Sequence, residues 1–266
     1  MGDWNKVAKD EEYIMSRFVD IISMRTTFIT PYEMDENQMT TFIEHVTRIE
    51  RNENPNSFPD FVGEAMDVEV FNVSSSKETG KGARYYIEKN GLDKRMSEAL
   101  KLSDDPEEKK KGKSYVETIE YKNHSYEFWI SSLQRNIKKH KESLLQYNLN
   151  GKECTFIAHY TQKVLSYIDE KGFEQWHKIG VDRKALSLIS NELNGLVDYF
   201  IVFDETNSEI ELMPIKKIPS YLDRHTNNYE FYPRKDAGTI FIGVSETIWS
   251  IAYEMLIHFF EHLLIK

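Results

Sequence analysis

Apolar residues recur at helical spacing in several stretches of the chain. The stretch "DENQMTTFIEHVTRIERN" places Met39, Phe42 and Val46 on one face. This spacing predicts an amphipathic helix, with Asp35 or Asn37 as its N-terminal cap. Five further helices are predicted over residues 10–30, 125–147, 161–171 and 182–195 and from Ser245 to the end of the chain.

Other segments are rich in β-branched and aromatic residues, as strands are. In "MDVEVFNV", alternation puts Glu69 and Phe71 on one face and Val68 and Val70 on the other. Further strands are predicted at residues 58–62, 153–160, 196–204, 209–215 and 238–244. Because strands and helices interleave along the chain, we predict an α/β fold with a mixed central sheet flanked by helices.

The composition favours a folded protein. Of the 266 residues, 40% are hydrophobic, enough for a sizeable core, and the one cysteine excludes an intramolecular disulfide. No apolar run reaches the roughly 18–20 residues that span a bilayer, and no leader precedes the first predicted helix. We therefore expect a cytoplasmic protein that does not cross a membrane.

The net charge of −10 bears on the choice of partner. Proteins that coat nucleic acid are usually basic, so an enzyme acting on DNA would need a local basic face. Residues 77–113 hold eleven Lys or Arg and eight Asp or Glu, which is typical of an exposed charged insertion or a basic arm that steers a substrate. An acidic surface equally suits a basic protein partner.

Candidate chemistry lies in "PDFVGEAMDVEV", residues 59–70. Asp60 and Glu69 stand nine positions apart across a predicted turn, so a hairpin can bring their side chains together. Carboxylates that converge in this way suit Mg²⁺, which assists phosphodiester hydrolysis. The ordinary alternative is a hairpin with carboxylates on its solvated face. Glu44 or Glu50 is the candidate for a third carboxylate.

This arrangement resembles the PD-(D/E)xK nuclease superfamily, in which a helix is followed by a hairpin with Pro-Asp and Glu-x-Lys, a helix and a strand. The matching positions here are Pro59, Asp60 and Glu69, then residues 125–147 and 153–160. Residues 55–160 also resemble a group of uncharacterised bacterial and phage proteins with a similar Glu-x-Phe strand and a Ser-rich exit with Lys-Gly. The resemblance implies a restriction-endonuclease-like core.

The chain departs from the nuclease pattern at one position. Phe71 stands where the superfamily has lysine, so Lys77, Lys81 or Lys138 must supply the cation if the site is catalytic. The resemblance then implies a Mg²⁺-dependent DNA endonuclease of restriction or mobile-element type. In such an enzyme Asp60 and Glu69 would bind the metal, with Glu44 or Glu50 assisting. Lys77 or Lys81 would orient the attacking water. The alternative is a non-catalytic binding protein of a phage or bacterial conflict system.

Two regions follow from these assignments. Residues 1–160 form the predicted nuclease-like core, with 77–113 as its insertion, and residues 161–266 form an α/β extension or lobe. The apolar C-terminal helix, over "TIWSIAYEMLIHFFEHLLIK", is a candidate surface for packing on the core or for a homodimer.

Overall fold

The structure is a computed structural model. It describes residues 4–24, 29–54, 57–76, 91, 94–101, 105–106, 113–120, 123–160, 163–205, 207–225 and 227–242. By contacts between residues, the chain divides into two units. The first consists of residues 1–78 and 122–233, and the second of residues 79–121 and 234–266.

The first unit is built on one large sheet with helices on both faces. Its described helices are α1 (Trp4–Ser23), α2 (Glu36–Val46), α3 (Tyr126–Leu144), α4 (Arg183–Leu193) and α5 (Ile218–Arg224). The strands of the large sheet are β1 (Ile29–Pro31), β2 (Glu50–Arg51), β3 (Phe61–Val62), β4 (Met66–Val73), β6 (Glu153–Tyr160), β9 (Tyr199–Asp204) and β10 (Glu209–Pro214).

Two smaller sheets complete the described strands. In the first unit, β7 (Leu165–Ile168) pairs with β8 (Glu174–Trp176) and with β11 (Tyr232–Pro233), both antiparallel. In the second unit, β5 (Lys113–Glu120) pairs antiparallel with β12 (Lys235–Ile242) over eight residue pairs.

The seven strands of the large sheet lie in the order β1-β10-β9-β6-β4-β3-β2. The three strands at its centre, β9, β6 and β4, are parallel to one another. Beyond β4, the strands β3 and β2 continue antiparallel, and beyond β9 the strand β10 is also antiparallel. The prediction of a mixed central sheet flanked by helices is confirmed.

Both faces of the central strands are buried, as parallel strands in α/β proteins are. On β6, the side chains of Phe156 and Ala158 join the core that α3, α4 and α5 cover. The intervening Ile157 joins the core under α1 and α2. The alternation that the sequence predicts for β4 is also observed, since Val68 and Val70 pack under α1 and α2 while Phe71 packs under α3.

Local signals set the ends of the helices. Asp35 caps α2 in a reciprocal capping box with Gln38, and Ser125 caps α3 by accepting a hydrogen bond from the Phe128 N–H. Gly195 follows α4 with a φ of +80°, a conformation that glycine adopts without steric cost. The cap of α2 confirms the prediction for Asp35.

The helix predicted over residues 161–171 is wrong. The described part of this segment contains β7, and a turn connects it to β8. Gly172 has a φ of +83°, and the Asp169 carboxylate accepts the N–H groups of Lys171 and Phe173. The turn chemistry of Asp169 and Gly172 therefore reverses the chain where a helix was expected.

The expected division near residue 160 differs from the division by contacts. Strands β9 and β10 follow residue 160 yet share the large sheet with β4 and β6. The described residues leave out most of the predicted insertion over residues 77–113. They also leave out the whole C-terminal helix predicted from Ser245, with its proposed homodimer surface. Among the described helices, none is both long and apolar enough to cross a bilayer.

The packing of α3 on the sheet predicts that two leucines differ in how much they contribute to the free energy of unfolding. Leu133 is fully buried and Leu145, just past the helix, is 62% exposed. We expect Leu133→Ala to lower the free energy of unfolding by about 2–5 kcal/mol, because it removes buried methyl groups and leaves a cavity. Leu145→Ala should change it by less than about 0.5 kcal/mol. Urea denaturation of the two variants measures the difference, and equal losses would contradict this packing.

Candidate active site

The β3–β4 hairpin brings Asp60 and Glu69 together. Phe61 pairs with Val68 across the hairpin, which places the two acidic residues at adjacent positions on neighbouring strands. The Asp60 N–H donates to Glu69 Oε2 at 3.0 Å, and the Val70 N–H donates to Asp60 Oδ2 at 2.8 Å. The backbone N–H of Asp60 therefore holds the Glu69 carboxyl group, and the N–H of Val70, the residue after Glu69, holds that of Asp60.

Both carboxyl groups lie in surroundings that disfavour their charge. Burial, followed by the charges of Glu69 and Glu11, raises the pKa of Asp60 to about 7. Burial also raises the pKa of Glu69 to about 8, although the Asp60 N–H works in the opposite direction. Strong shifts of this kind in two neighbouring acids are typical of functional sites, and ion-pair networks produce them too.

A second pair, Glu11 of α1 and Arg51 of β2, adjoins these acids. Glu11 raises the pKa of both carboxyl groups, whereas Arg51 lowers both. Arg51 Nη2 donates to Glu11 Oε2 at 2.7 Å, and the guanidinium lies 5.1 Å from the centre of the Phe61 ring. Its other terminal nitrogen, Nη1, is buried and has no hydrogen-bond partner among the described residues. A buried donor of this kind suits an anionic ligand.

His140 reaches the acidic pair from α3. Its Nδ1 shares a hydrogen bond of 2.5 Å with Glu69 Oε1, and its ring stacks on Phe71 at 5.0 Å between centres and 17° between planes. Burial lowers the pKa of His140 to about 4, with the Lys139 charge beside it acting in the same direction. Phe71, which occupies the lysine position of the nuclease pattern, thus supports an imidazole at Glu69.

None of the lysines or helix carboxylates proposed from the sequence is seen to bind Asp60 or Glu69 among the described residues. Lys77 and Lys81 lie outside the described residues. Lys138 is exposed on α3, and its neighbour Lys139 lowers the pKa of Glu69. Glu44 is exposed on α2 and forms no hydrogen bond or ion pair with Asp60 or Glu69. Glu50 is also exposed. The helix carboxylate that acts on the pair is Glu11.

The residues of the pair suit a cation bound partly through water. Among the described residues, no three His, Cys, Asp or Glu side chains converge closely enough to form a complete metal site. Mg²⁺ needs no such set, since it is commonly held by one or two carboxylates together with waters and substrate oxygens. Asp60 Oδ1 accepts no hydrogen bond from a described residue, and the pKa values of both carboxyl groups are raised although the charge of Arg51 acts to lower them.

Other polar groups at the sheet are used in structural contacts. Cys154 is buried on β6, and burial raises the pKa of its thiol, which does not favour a nucleophile. Ser75 Oγ, buried just after β4, shares a hydrogen bond of 2.9 Å with His124. His258 and His262 lie outside the described residues.

Sequence reasoning missed Glu11, Arg51 and His140. The first two come from elements that precede the hairpin, and no local pattern connects them to it. His140 did carry a signal, because it falls on the buried stripe of α3. Trp129, Leu133, Ile137 and Leu144 are the buried members of that stripe, and the partly buried His140 continues their spacing. A polar residue in an apolar stripe needs a partner, and Glu69 is that partner.

Comparison with known proteins adds no relative. No family model matches the chain, and no curated protein or solved structure matches it either. The resemblance to the PD-(D/E)xK superfamily therefore stays a prediction, and function has to be argued from the geometry around Asp60 and Glu69.

The pKa shifts predict a loss of stability at high pH. The folded state holds its carboxyl protons up to about pH 7 at Asp60 and about pH 8 at Glu69, while the unfolded chain has released them. The free energy of unfolding should therefore fall between pH 6.5 and 9, by on the order of 1–3 kcal/mol. The opposite contribution from His140, whose pKa is lowered to about 4, is confined to lower pH.

Glu69→Gln tests this assignment, since glutamine resembles the protonated acid. Denaturation in EDTA should find a stability gap in favour of the variant that widens as the pH rises toward about 8, the folded-state pKa of Glu69, and stays constant above pH 9. A difference between the two proteins that does not change with pH would contradict the raised pKa of Glu69.

Proposed function

We propose that the protein is a metal-dependent DNA endonuclease. The observation that carries this proposal is the pair formed by buried Glu69 and partly buried Asp60 in the β3–β4 hairpin, with Arg51 and His140 beside them. Phosphodiester hydrolysis needs carboxylates for a divalent cation and a positive group near the developing charge of the phosphate. This cluster contains both kinds of group.

The topology around the pair supports the same reaction. In chain order, α2 is followed by the antiparallel strands β2, β3 and β4. After the second unit's β5 come α3 and then β6, which is parallel to β4. The resemblance to PD-(D/E)xK nucleases implies a helix, a hairpin, a helix and a strand in this order. A shared arrangement of elements favours a nuclease, but the proposed function rests on the residues of the site.

Each residue of the cluster has a distinct role in the proposed reaction. Asp60 and Glu69 would hold Mg²⁺ or Mn²⁺, which would supply positive charge at the phosphate and would favour deprotonation of a water. Arg51 presents its unpartnered N–H groups to phosphate oxygens. His140 fixes the orientation of the Glu69 carboxyl group, and Phe71 fixes the ring of His140.

A second candidate function has one observation in its favour. Three of the four oxygens of the pair already take part in hydrogen bonds, two with backbone N–H groups and one with His140. A network of this kind can serve simply to stabilise the hairpin, without binding a ligand. In that case the protein is a non-catalytic acidic partner of a basic protein in a phage or bacterial conflict system.

Cleavage assays separate these two functions. With DNA and Mg²⁺ or Mn²⁺, we expect Asp60→Asn and Glu69→Gln each to reduce cleavage about 100-fold or more, because each removes a charged ligand of the cation. Glu142→Gln alters an exposed carboxylate of α3 and should cleave as wild type does. At pH 8.5, Mn²⁺ should also raise the melting temperature of wild type but not that of Glu69→Gln.

Absence of cleavage with every divalent metal, together with no stabilisation by Mn²⁺, would reject the nuclease in favour of the binding protein. Cleavage that both substitutions leave unchanged would keep an enzyme but move its site elsewhere.

A separate prediction concerns His140. His140→Phe keeps a ring on Phe71 but removes the hydrogen bond to Glu69, so the carboxyl group loses its fixed orientation. Loss of such an outer contact typically weakens metal affinity about 10- to 100-fold. Calorimetric titration with Mn²⁺ measures this loss. His140→Gln, which can still donate to Glu69, should recover part of the affinity, and equal affinities in all three proteins would contradict the role.

A further inference from the structure

Helix α3 carries an unusual concentration of positive charge. Residues 134–141, "QRNIKKHK", hold four Lys or Arg and no Asp or Glu in a chain of net charge −10. Like charges three and four positions apart on a helix repel one another and destabilise it slightly. The arrangement therefore has a cost that an anionic partner would offset.

The positive side chains lie on the exposed face of α3. Arg135, Lys138 and Lys139 are exposed, opposite the buried stripe that packs on the sheet. The spacing from Arg135 to Lys138 and Lys139 puts their Cβ atoms about 5–6 Å apart on one face. Lys138 and Lys139 form no ion pair with any described residue, whereas Lys141 pairs with Glu192 at 3.1 Å. We call Arg135, Lys138 and Lys139 the basic face of α3.

This face adjoins the candidate active site. His140 stands between Lys139 and Lys141 in the chain and reaches Glu69, and the charge of Lys139 lowers the pKa of Glu69. Lys139 is therefore the member of the basic face that lies near the candidate active site. The negative charge of the rest of the chain repels a polyanion, so attraction would be directed to this face.

We infer that the basic face of α3 is the surface on which the phosphate backbone of duplex DNA docks. The choice of DNA over another polyanion rests on the proposed function. Contacts of lysine and arginine with phosphates position a nucleic acid without reading its sequence, and they make its affinity depend on salt. The surface thus binds duplexes of different sequence with similar affinity.

Binding measurements test the inference without any catalysis. The probe is a fluorescent 20-base-pair duplex in EDTA, followed by anisotropy over a range of salt concentrations. The double variant Lys138→Ala/Lys139→Ala should bind about tenfold more weakly at low salt, and the slope of log affinity against log salt should fall by about 2.

The matched control is Lys171→Ala/Lys216→Ala, which removes the same charge from two exposed lysines of other elements. It should bind within about twofold of wild type, and thermal melting checks that both variants fold. Equal losses in the two double variants, or no binding by wild type at low salt, would overturn the inference. Tighter binding of an RNA duplex of the same sequence would overturn the choice of DNA.

The outcome for the surface is distinguishable from the outcome for the enzyme. If the duplex binds through Lys138 and Lys139 but no metal supports cleavage, the docking surface stands and the nuclease fails. If wild type cleaves DNA and the Lys138/Lys139 variant binds and cleaves equally well, the nuclease stands and the docking surface fails.

Discussion

Two carboxyl groups buried side by side are the constraint on which the rest of the site depends. Ionising both in a poorly solvated place is unfavourable, and the protein responds by raising both pKa values and by surrounding the pair with donors. Arg51 supplies positive charge from β2, His140 supplies a hydrogen bond from α3, and the hairpin supplies two backbone N–H groups. The proposed divalent cation would offset the charge that these groups leave uncompensated.

The parallel centre of the sheet gives this pair a rigid base. Strand β4 pairs with β6 over eight residues, and its side chains are buried on both faces, so Glu69 has little room to move. Helix α3 contributes to the core, to the candidate site and to the proposed docking surface. Its stripe packs on the sheet, His140 within that stripe holds Glu69, and the exposed basic face turns positive charge toward solvent. Stability, site geometry and the proposed docking of DNA thus share one element.

The neighbours of the pair were harder to predict than the pair itself. A turn between two apolar segments and a period of two were enough to place Asp60 near Glu69, because hairpin geometry is local. The interactions of Glu11 and Arg51 depend on how α1 and the two-residue strand β2 pack, and short strands carry almost no periodicity. The few apolar residues of the segment after residue 160 do not distinguish a helix from a strand. The signal that does is the Asp169–Gly172 turn, which reverses the chain.

The mutual hydrogen bonds of the hairpin couple side-chain chemistry to the main chain. Since the Asp60 amide donates to Glu69 and the Val70 amide donates to Asp60, any ligand that pulls either carboxylate outward must loosen an amide in the adjoining strand. Occupancy of the site is therefore transmitted to the backbone. Solvent exchange of those two amide protons is a direct reporter of it, even where no reaction can be followed.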